Sequence, residues 1–313
     1  MNAAHGLSAV ESAALTRRVT LYSVATAAVL VAIKIAAWLA SGSIALLAST
    51  ADSGLDLLAS LTTFFAVRYA VAPPDAEHRY GHGKAEGFAS LVQAGLVFAS
   101  AALIAREAIG DLMAPKPIQD GGWAAVVMAV SILLTALLIA AQGRVLKKTA
   151  SVAVSGDRAH YAADLASNFI ALAGIAATAW LGIARLDAVA ALAIAALLLW
   201  GAVGVFREAS GQLMDHELPD EVRAKIVELM TEDRRLTDVH QLRTRASGPF
   251  VHMQMHVDLD PELTLEAAHQ VIVAAEKRVL NAFPSADIII HADPRGRAEP
   301  HGGAFAEIRV RDA

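Results

Sequence analysis

Six apolar segments constrain this chain more than any other feature. They run approximately over 18–40, 43–70, 86–112, 122–143, 159–182 and 186–207. Each can cross a hydrocarbon core of ~30 Å with about 20 helical residues. Backbone groups in lipid must be satisfied within their own segment, so a bundle of spanning helices is expected. All ten prolines lie outside the segments, so the helices should run unbroken. The chain is 56% hydrophobic and 18% charged, too apolar for an average soluble protein. A net charge of -5 with scattered basic residues gives no nucleic-acid footprint. Cysteine is absent, which excludes disulfides, thiolate metal sites and thiol catalysis. Metal chemistry would have to use His and carboxylate.

Residues 1–16 contain Glu11 and lack the apolar core of a secretory signal, so they are read as a cytoplasmic lead-in. Arg17, Arg18, Arg144, Lys147, Lys148 and Arg207 gather on one side of the spans, whereas the opposite loops offer little beyond Lys116 and Arg185. The positive-inside rule therefore places both termini in the cytoplasm. Lys34 lies near the outer end of the first span, and snorkelling to the interface is its simplest reading. The expected layout is a lead-in (1–16), a six-helix transmembrane domain (17–210), a cytoplasmic domain (211–293) and a disordered polar tail (294–313).

Beyond Met214 the pattern changes to that of a soluble domain. LPDEVRAKIVELMTED has helical spacing at Val222, Ile226 and Leu229. TDVHQLRTR and PFVHMQMHVDLD read as strands either side of the turn signal Ser247-Gly248-Pro249. LTLEAAHQVIVAAEKRVLNAF reads as a helix and ADIIIHAD as a third strand. The order αββαβ predicts a small open-faced α+β sandwich.

The second span carries two acids where a membrane helix should carry none. Asp52 and Asp56 stand four residues apart and so share one helix face. Each ionised acid at mid-bilayer costs roughly 2.5–3.5 kcal/mol on insertion scales, so the pair needs a partner, a proton or a metal. HYAAD at the start of the fifth span repeats the spacing with His160 and Asp164. Together the two pairs supply three carboxylates and one imidazole, a donor set suited to a tetrahedral divalent ion such as Zn²⁺. A proton relay or a structural hydrogen-bond cluster would show the same spacing. Asn168 could extend the polar stripe.

Asp75, His78 and His82 follow the second span with spacing compact enough for one zinc, although loop histidines are commonly just solvated; Glu77 is an additional candidate ligand. The soluble domain is rich in His: His240 and His256 on adjacent predicted strands, His269 on the second helix, His291 and Asp293 at the end of the last strand. His252 shares the face of His256 by strand alternation and is an unassigned donor.

The stretches LASTADSGLDLLAS, PPDAEHRYGHGKAE, HYAAD, DVHQLRTRASGP and IIIHADP together resemble the cation diffusion facilitator family, most closely its bacterial zinc and iron efflux branch. The resemblance spans about residues 17 to 294. It implies an inner-membrane homodimer whose protomers each carry six transmembrane helices and a metallochaperone-like cytoplasmic domain, exchanging a cytosolic divalent cation for protons. It places the transport site at Asp52, Asp56, His160 and Asp164, a set associated with zinc and cadmium and often with iron and cobalt. A His in place of Asp52 would imply stricter zinc selectivity. A second metal site is implied at Asp75, His78 and His82, and a binuclear site between cytoplasmic domains at His240, His256, His269, His291 and Asp293. Ala292 departs from the polar residue often found there. Lys84 and Asp215 match a hinge ion pair at the dimer, where a solvated lysine is the plainer reading.

A ligating imidazole must be neutral and a ligating carboxylate ionised, so metal and protons compete for the same atoms. Imidazole ordinarily titrates at about 6.5, which makes His160 the natural exchanging group. Zn²⁺ or another divalent cation is thus expected as cargo and as a regulatory ion, with no enzymatic activity. The H-E-x-x-H motif of an intramembrane metalloprotease is absent. The alternatives are a passive channel, a manganese- or iron-preferring exporter, and a membrane-anchored metal sensor.

Overall fold

The computed structural model describes residues 7–41, 44–113, 122–181 and 184–297. The tail expected to be disordered lies, from residue 298 on, outside the described residues. Six long helices come first: α1 (Ala9–Ser41), α2 (Ile44–Ala70), α3 (Ala85–Met113), α4 (Gly122–Leu146), α5 (Val152–Leu181) and α6 (Ala184–Leu213). Among the described residues, four of them, α1, α3, α4 and α6, are long and apolar enough by themselves to cross a membrane. The remaining two, α2 and α5, carry the acids and the histidine of the predicted transport site.

Helix ends differ from the apolar pattern where capping chemistry sets them. α1 begins at Ala9, inside the segment read as a lead-in, because Ser8 and Glu11 form a reciprocal capping box: the Ser8 amide donates to Glu11 Oε2 at 3.0 Å and the Glu11 amide to Ser8 Oγ at 3.3 Å. α5 begins at Val152 rather than near 159. Ser151 Oγ accepts from the Val154 amide at 3.3 Å and donates to the buried Glu86 carboxylate of α3 at 2.5 Å. α6 continues past residue 210 to Leu213.

Within the helical unit α5 packs against all five other long helices. A stripe of small residues runs along each of α3 and α6, which pack together with Val97 and Leu198 in the same cluster. Ala94, Ala101 and Ala108 on α3, and Ala188, Ala195, Ala202 and Ala209 on α6, recur at seven-residue spacing and are all buried. Seams of this kind let two backbones approach closely where lipid supplies no hydrophobic drive. Gly87 serves the same contact, since a Cβ there would lie 2.9 Å from Leu213 Cγ. Large apolar side chains such as Leu197, Trp200, Leu133 and Phe65 stay exposed on the outer faces, as lipid contact requires.

A second unit starts at Glu217. It contains α7 (Asp220–Thr231), β1 (Val239–Ser247), β2 (Phe250–Leu259), α8 (Leu265–Ala282) and β3 (Ala286–Pro294), in the expected αββαβ order. The sheet order is β1-β2-β3, and α8 forms the crossover that makes β2 and β3 parallel. Val251, Met253, Met255, Val257 and Leu259 of β2 are buried, as are Val271, Ala275 and Val279 of α8 and Ile226 and Met230 of α7. The alternate residues of β2 face the open side of the sheet. Thr264 caps α8 by accepting from the Ala267 amide at 3.2 Å.

Candidate metal centres

The polar residues of α2 and α5 meet inside the helical unit. His160 is almost wholly buried, and its Nε2 lies 3.2 Å from Asp56 Oδ1 on α2 and 3.7 Å from Asp164 Oδ2 one turn along α5. Zn–N and Zn–O bonds of about 2.0–2.1 Å place neighbouring donors of a tetrahedron about 3.4 Å apart, so this spacing suits a single ion. Asp52 is exposed and stands outside the group of three. The structure therefore gathers three of the four expected ligands. Asp52 shares their helix face through its i,i+4 relation to Asp56 but is held apart from them.

Two features around this group were not foreseen. Asp157, one turn before His160, is completely buried and accepts hydrogen bonds from Ser23 Oγ at 2.6 Å, Gln142 Nε2 at 2.8 Å and Gln93 Nε2 at 3.3 Å. It thereby ties α5 to α1, α4 and α3. Tyr161 extends the clasp, with its hydroxyl 2.7 Å from Ser60 Oγ of α2 and donating to the Ser23 carbonyl at 3.2 Å. Lone Ser, Gln and Asp residues within apolar spans were the available signal. Lys34, second, does not snorkel outward. Its Nζ donates to Ser53 Oγ at 2.6 Å and to the Ser49 carbonyl at 3.3 Å, both on α2. The correction has a local cause: the lysine head finds the buried Ser53 hydroxyl and the Ser49 carbonyl on the neighbouring helix without reaching water.

The loop between α2 and α3 also closes into a cluster. Asp75 Oδ1 accepts from the amides of His78 at 2.6 Å and Glu77 at 2.9 Å, which fixes the turn. The His78 amide is the main cause that holds the Asp75 carboxyl below its usual range. His78 Nδ1 lies 3.3 Å from Asp75 Oδ1, and His82 Nε2 lies 3.2 Å from Asp75 Oδ2. His82 is buried against Tyr69, with ring centres 4.4 Å apart. Glu77 contributes its amide to the turn, and among the described residues its side chain joins no ligand group.

In the second unit the β2–β3 register sets His256 opposite His291 and Asp258 opposite Asp293. Asp293, buried, is the hub: its Oδ2 is 2.8 Å from His256 Nδ1 and 3.5 Å from His240 Nε2, and its Oδ1 is 3.3 Å from His291 Nε2. Asp258, missed from sequence, adds a carboxylate 3.3 Å from His240 Nε2. Only the strand pairing reveals it, with His240 on β1 at one side and Asp293 opposite it on β3 at the other. His269 is exposed on α8, away from the open sheet face, and joins no ligand group among the described residues. Ala292 registers with the buried Val257, so the cluster closes without it. His252 pairs instead with Asp287, at 3.1 Å.

Lys84 and Asp215 also meet, with Nζ 2.9 Å from Oδ1, while Nζ donates to the Leu213 carbonyl at 3.1 Å. Asp215 takes a left-handed backbone conformation, φ 58°.

Residues 20–214 match the cation efflux transmembrane domain, and residues 218–295 match the cation efflux protein cytoplasmic domain. The chain belongs to the cation efflux family. The cation-efflux pump FieF of Yersinia enterocolitica is 39% identical over 282 residues, covering 90% of this chain and 94% of that protein. The FieF of Escherichia coli O1:K1 is 38% identical over 280 residues, covering 90% and 93%. A solved structure of CzrB in its zinc form is 31% identical over 28% of this chain and 99% of its own, with a TM-score of 0.26 that is too low to bear on the fold. As a family member, the chain is a divalent-cation efflux transporter of the membrane with a cytoplasmic domain of the dimerisation type.

Proposed function

We propose that the protein exports cytosolic Zn²⁺ across a bacterial inner membrane in exchange for protons, as a homodimer with both termini in the cytoplasm. The observation that carries this reading is His160, buried in an apolar bundle with carboxylates from two helices around one ring nitrogen. Asp56 and Asp52 belong to α2, and His160 and Asp164 to α5, so a shift of one helix against the other opens or closes the set. Metal binding requires the carboxylates ionised and the imidazole neutral, and protons arriving from the acidic side compete for the same lone pairs. Rocking of α2 against α5 would then expose the set to one side at a time. Asp52 joins as the fourth ligand when the metal draws the two helices together. A set of carboxylates and imidazole favours borderline ions such as Zn²⁺ over Mg²⁺ or Ca²⁺.

The Asp75, His78 and His82 cluster is proposed as a second zinc site. The His240, His256, His291 and Asp293 cluster, with Asp258, is proposed to bind regulatory zinc that favours the closed dimer, since an ion that prefers one state shifts the population toward it. His269 is retained in that set as a residue a second protomer would supply. The Lys84–Asp215 pair would lock the dimer hinge. The test is zinc flux in proteoliposomes with an imposed pH gradient. Flux that depends on the gradient and vanishes in Asp56→Ala supports the exchange, whereas flux unchanged in that variant, or indifferent to the gradient, rejects it.

A further inference from the structure

Lys34 is a cation fixed beside the acids by a neutral anchor. Ser49, Asp52, Ser53 and Asp56 stand at i, i+3, i+4 and i+7 of α2 and so form one face. Lys34 Nζ binds that face at Ser53 Oγ and the Ser49 carbonyl, and Ser53 directly follows Asp52 and stands three residues before Asp56. A lysine inside a span is costly unless it is paired, and an interfacial position would have relieved the cost. Its long stem permits snorkelling, yet its head is held inward on the acid-bearing face.

Three ionised carboxylates and a neutral His160 carry a charge of about -3, so a divalent ion alone leaves -1 and Lys34 brings the loaded site to neutrality. A monovalent ion would leave the site negative and a trivalent ion would leave it positive. From this geometry we infer that Lys34 is the built-in counter-cation of the transport site. It compensates the acids once the metal has gone, and it repels the bound metal enough to let it leave. The inference rests on the transport-site reading above. In that role the lysine sets the balance between capture and release without being a ligand.

The test is initial zinc flux against zinc concentration for the full-length protein in proteoliposomes. Lys34→Gln keeps a donor for Ser53 but removes the charge. It should lower KM by on the order of tenfold, the scale of one partly screened charge interaction, and lower kcat with it as release slows. Lys34→Arg should recover most of the wild-type KM. Ser53→Ala frees the ammonium to approach the acids, so KM should rise. Opposite signs for Lys34→Gln and Ser53→Ala separate a counter-cation from a structural pin, for which losing either end acts the same way. A KM that rises or stays fixed in Lys34→Gln overturns the inference, as do shifts of the same sign in the two variants. If Lys34→Gln does not insert, Ser53→Ala decides: a raised KM supports the inference and an unchanged one overturns it. Wild-type flux in Asp56→Ala would remove the site reading and this inference with it. An inactive Asp56→Ala beside an unmoved Lys34→Gln would remove this inference alone.

Discussion

The two His–Asp clusters, one in the helical bundle and one on the sheet, share chemistry and differ in how their ligands are carried. In the bundle the donors come from α2 and α5, far apart in sequence, and only three of the four expected ligands are together. On the sheet His256, Asp258, His291 and Asp293 are held opposite one another by a single parallel register. A ligand set split between two packed helices can be assembled and dismantled by sliding. A set carried by the paired strands of one sheet, with His240 on β1 beside it, can be changed only by breaking the sheet. The first arrangement suits cargo that must be released, and the second suits an ion that stays long enough to report its concentration.

The largest expected effect breaks the bundle set. Asp56→Ala should abolish zinc flux, by about 100-fold or more if one charged ligand is worth at least 2.7 kcal/mol, while zinc still raises the thermal stability of the protein through its other sites. His160→Ala should leave residual flux but weaken its dependence on the pH gradient, read as zinc flux at several imposed gradients. Next comes the clasp that holds the bundle. Asp157→Ala removes the acceptor that Ser23, Gln93 and Gln142 share, while both amides keep other acceptors, Ala59 and Thr63 for Gln93 and Ser23 for Gln142. It should destabilise the helical unit by about 1–2 kcal/mol, measured as a lower melting temperature in detergent with zinc absent.

The sheet cluster should respond the other way. Asp293→Ala removes the hub and should eliminate most of the zinc-induced rise in melting temperature, a linkage worth about 2.7 kcal/mol at a ligand concentration 100 times Kd. Flux at saturating zinc should fall less than threefold. If flux vanishes in Asp293→Ala as completely as in Asp56→Ala, the contrast between the two clusters fails. The smallest effect concerns the second unit alone. The Arg235 side chain, by its hydrogen bonds, holds Asp233 down to about 2. Because the folded value is depressed, its contribution is present above pH ~3.9, the usual unfolded value, and is lost as the pH falls toward 2. Asp233→Ala should therefore cost at most ~0.5 kcal/mol at pH 7 and nothing at pH 2, as a surface pair should, read by denaturant unfolding at the two pH values.

The six helices and the αββαβ order were legible because apolar length and strand alternation are local properties. Helix ends were less so. Ser8 and Ser151 lengthen α1 and α5 through hydrogen bonds that apolarity does not register. Asp56, His160 and Asp164 were legible as i,i+4 pairs, but the distance of Asp52 from them was not, because one helix face spans more than one contact. Asp157 and Asp258 were missed for the same reason: their partners lie on other elements, Ser23, Gln93 and Gln142 for the first and His240 for the second. Lys34 was misread because position along a span fixes depth and says nothing of which way a side chain turns.

The alanine seam of α3 and α6 has a consequence for motion. A methyl side chain has no rotamers to freeze, so the alanine positions let the two backbones approach without adding side-chain entropy to the cost of the contact. If α2 and α5 shift against each other as proposed, the α3–α6 pair would serve as the stator against which they work.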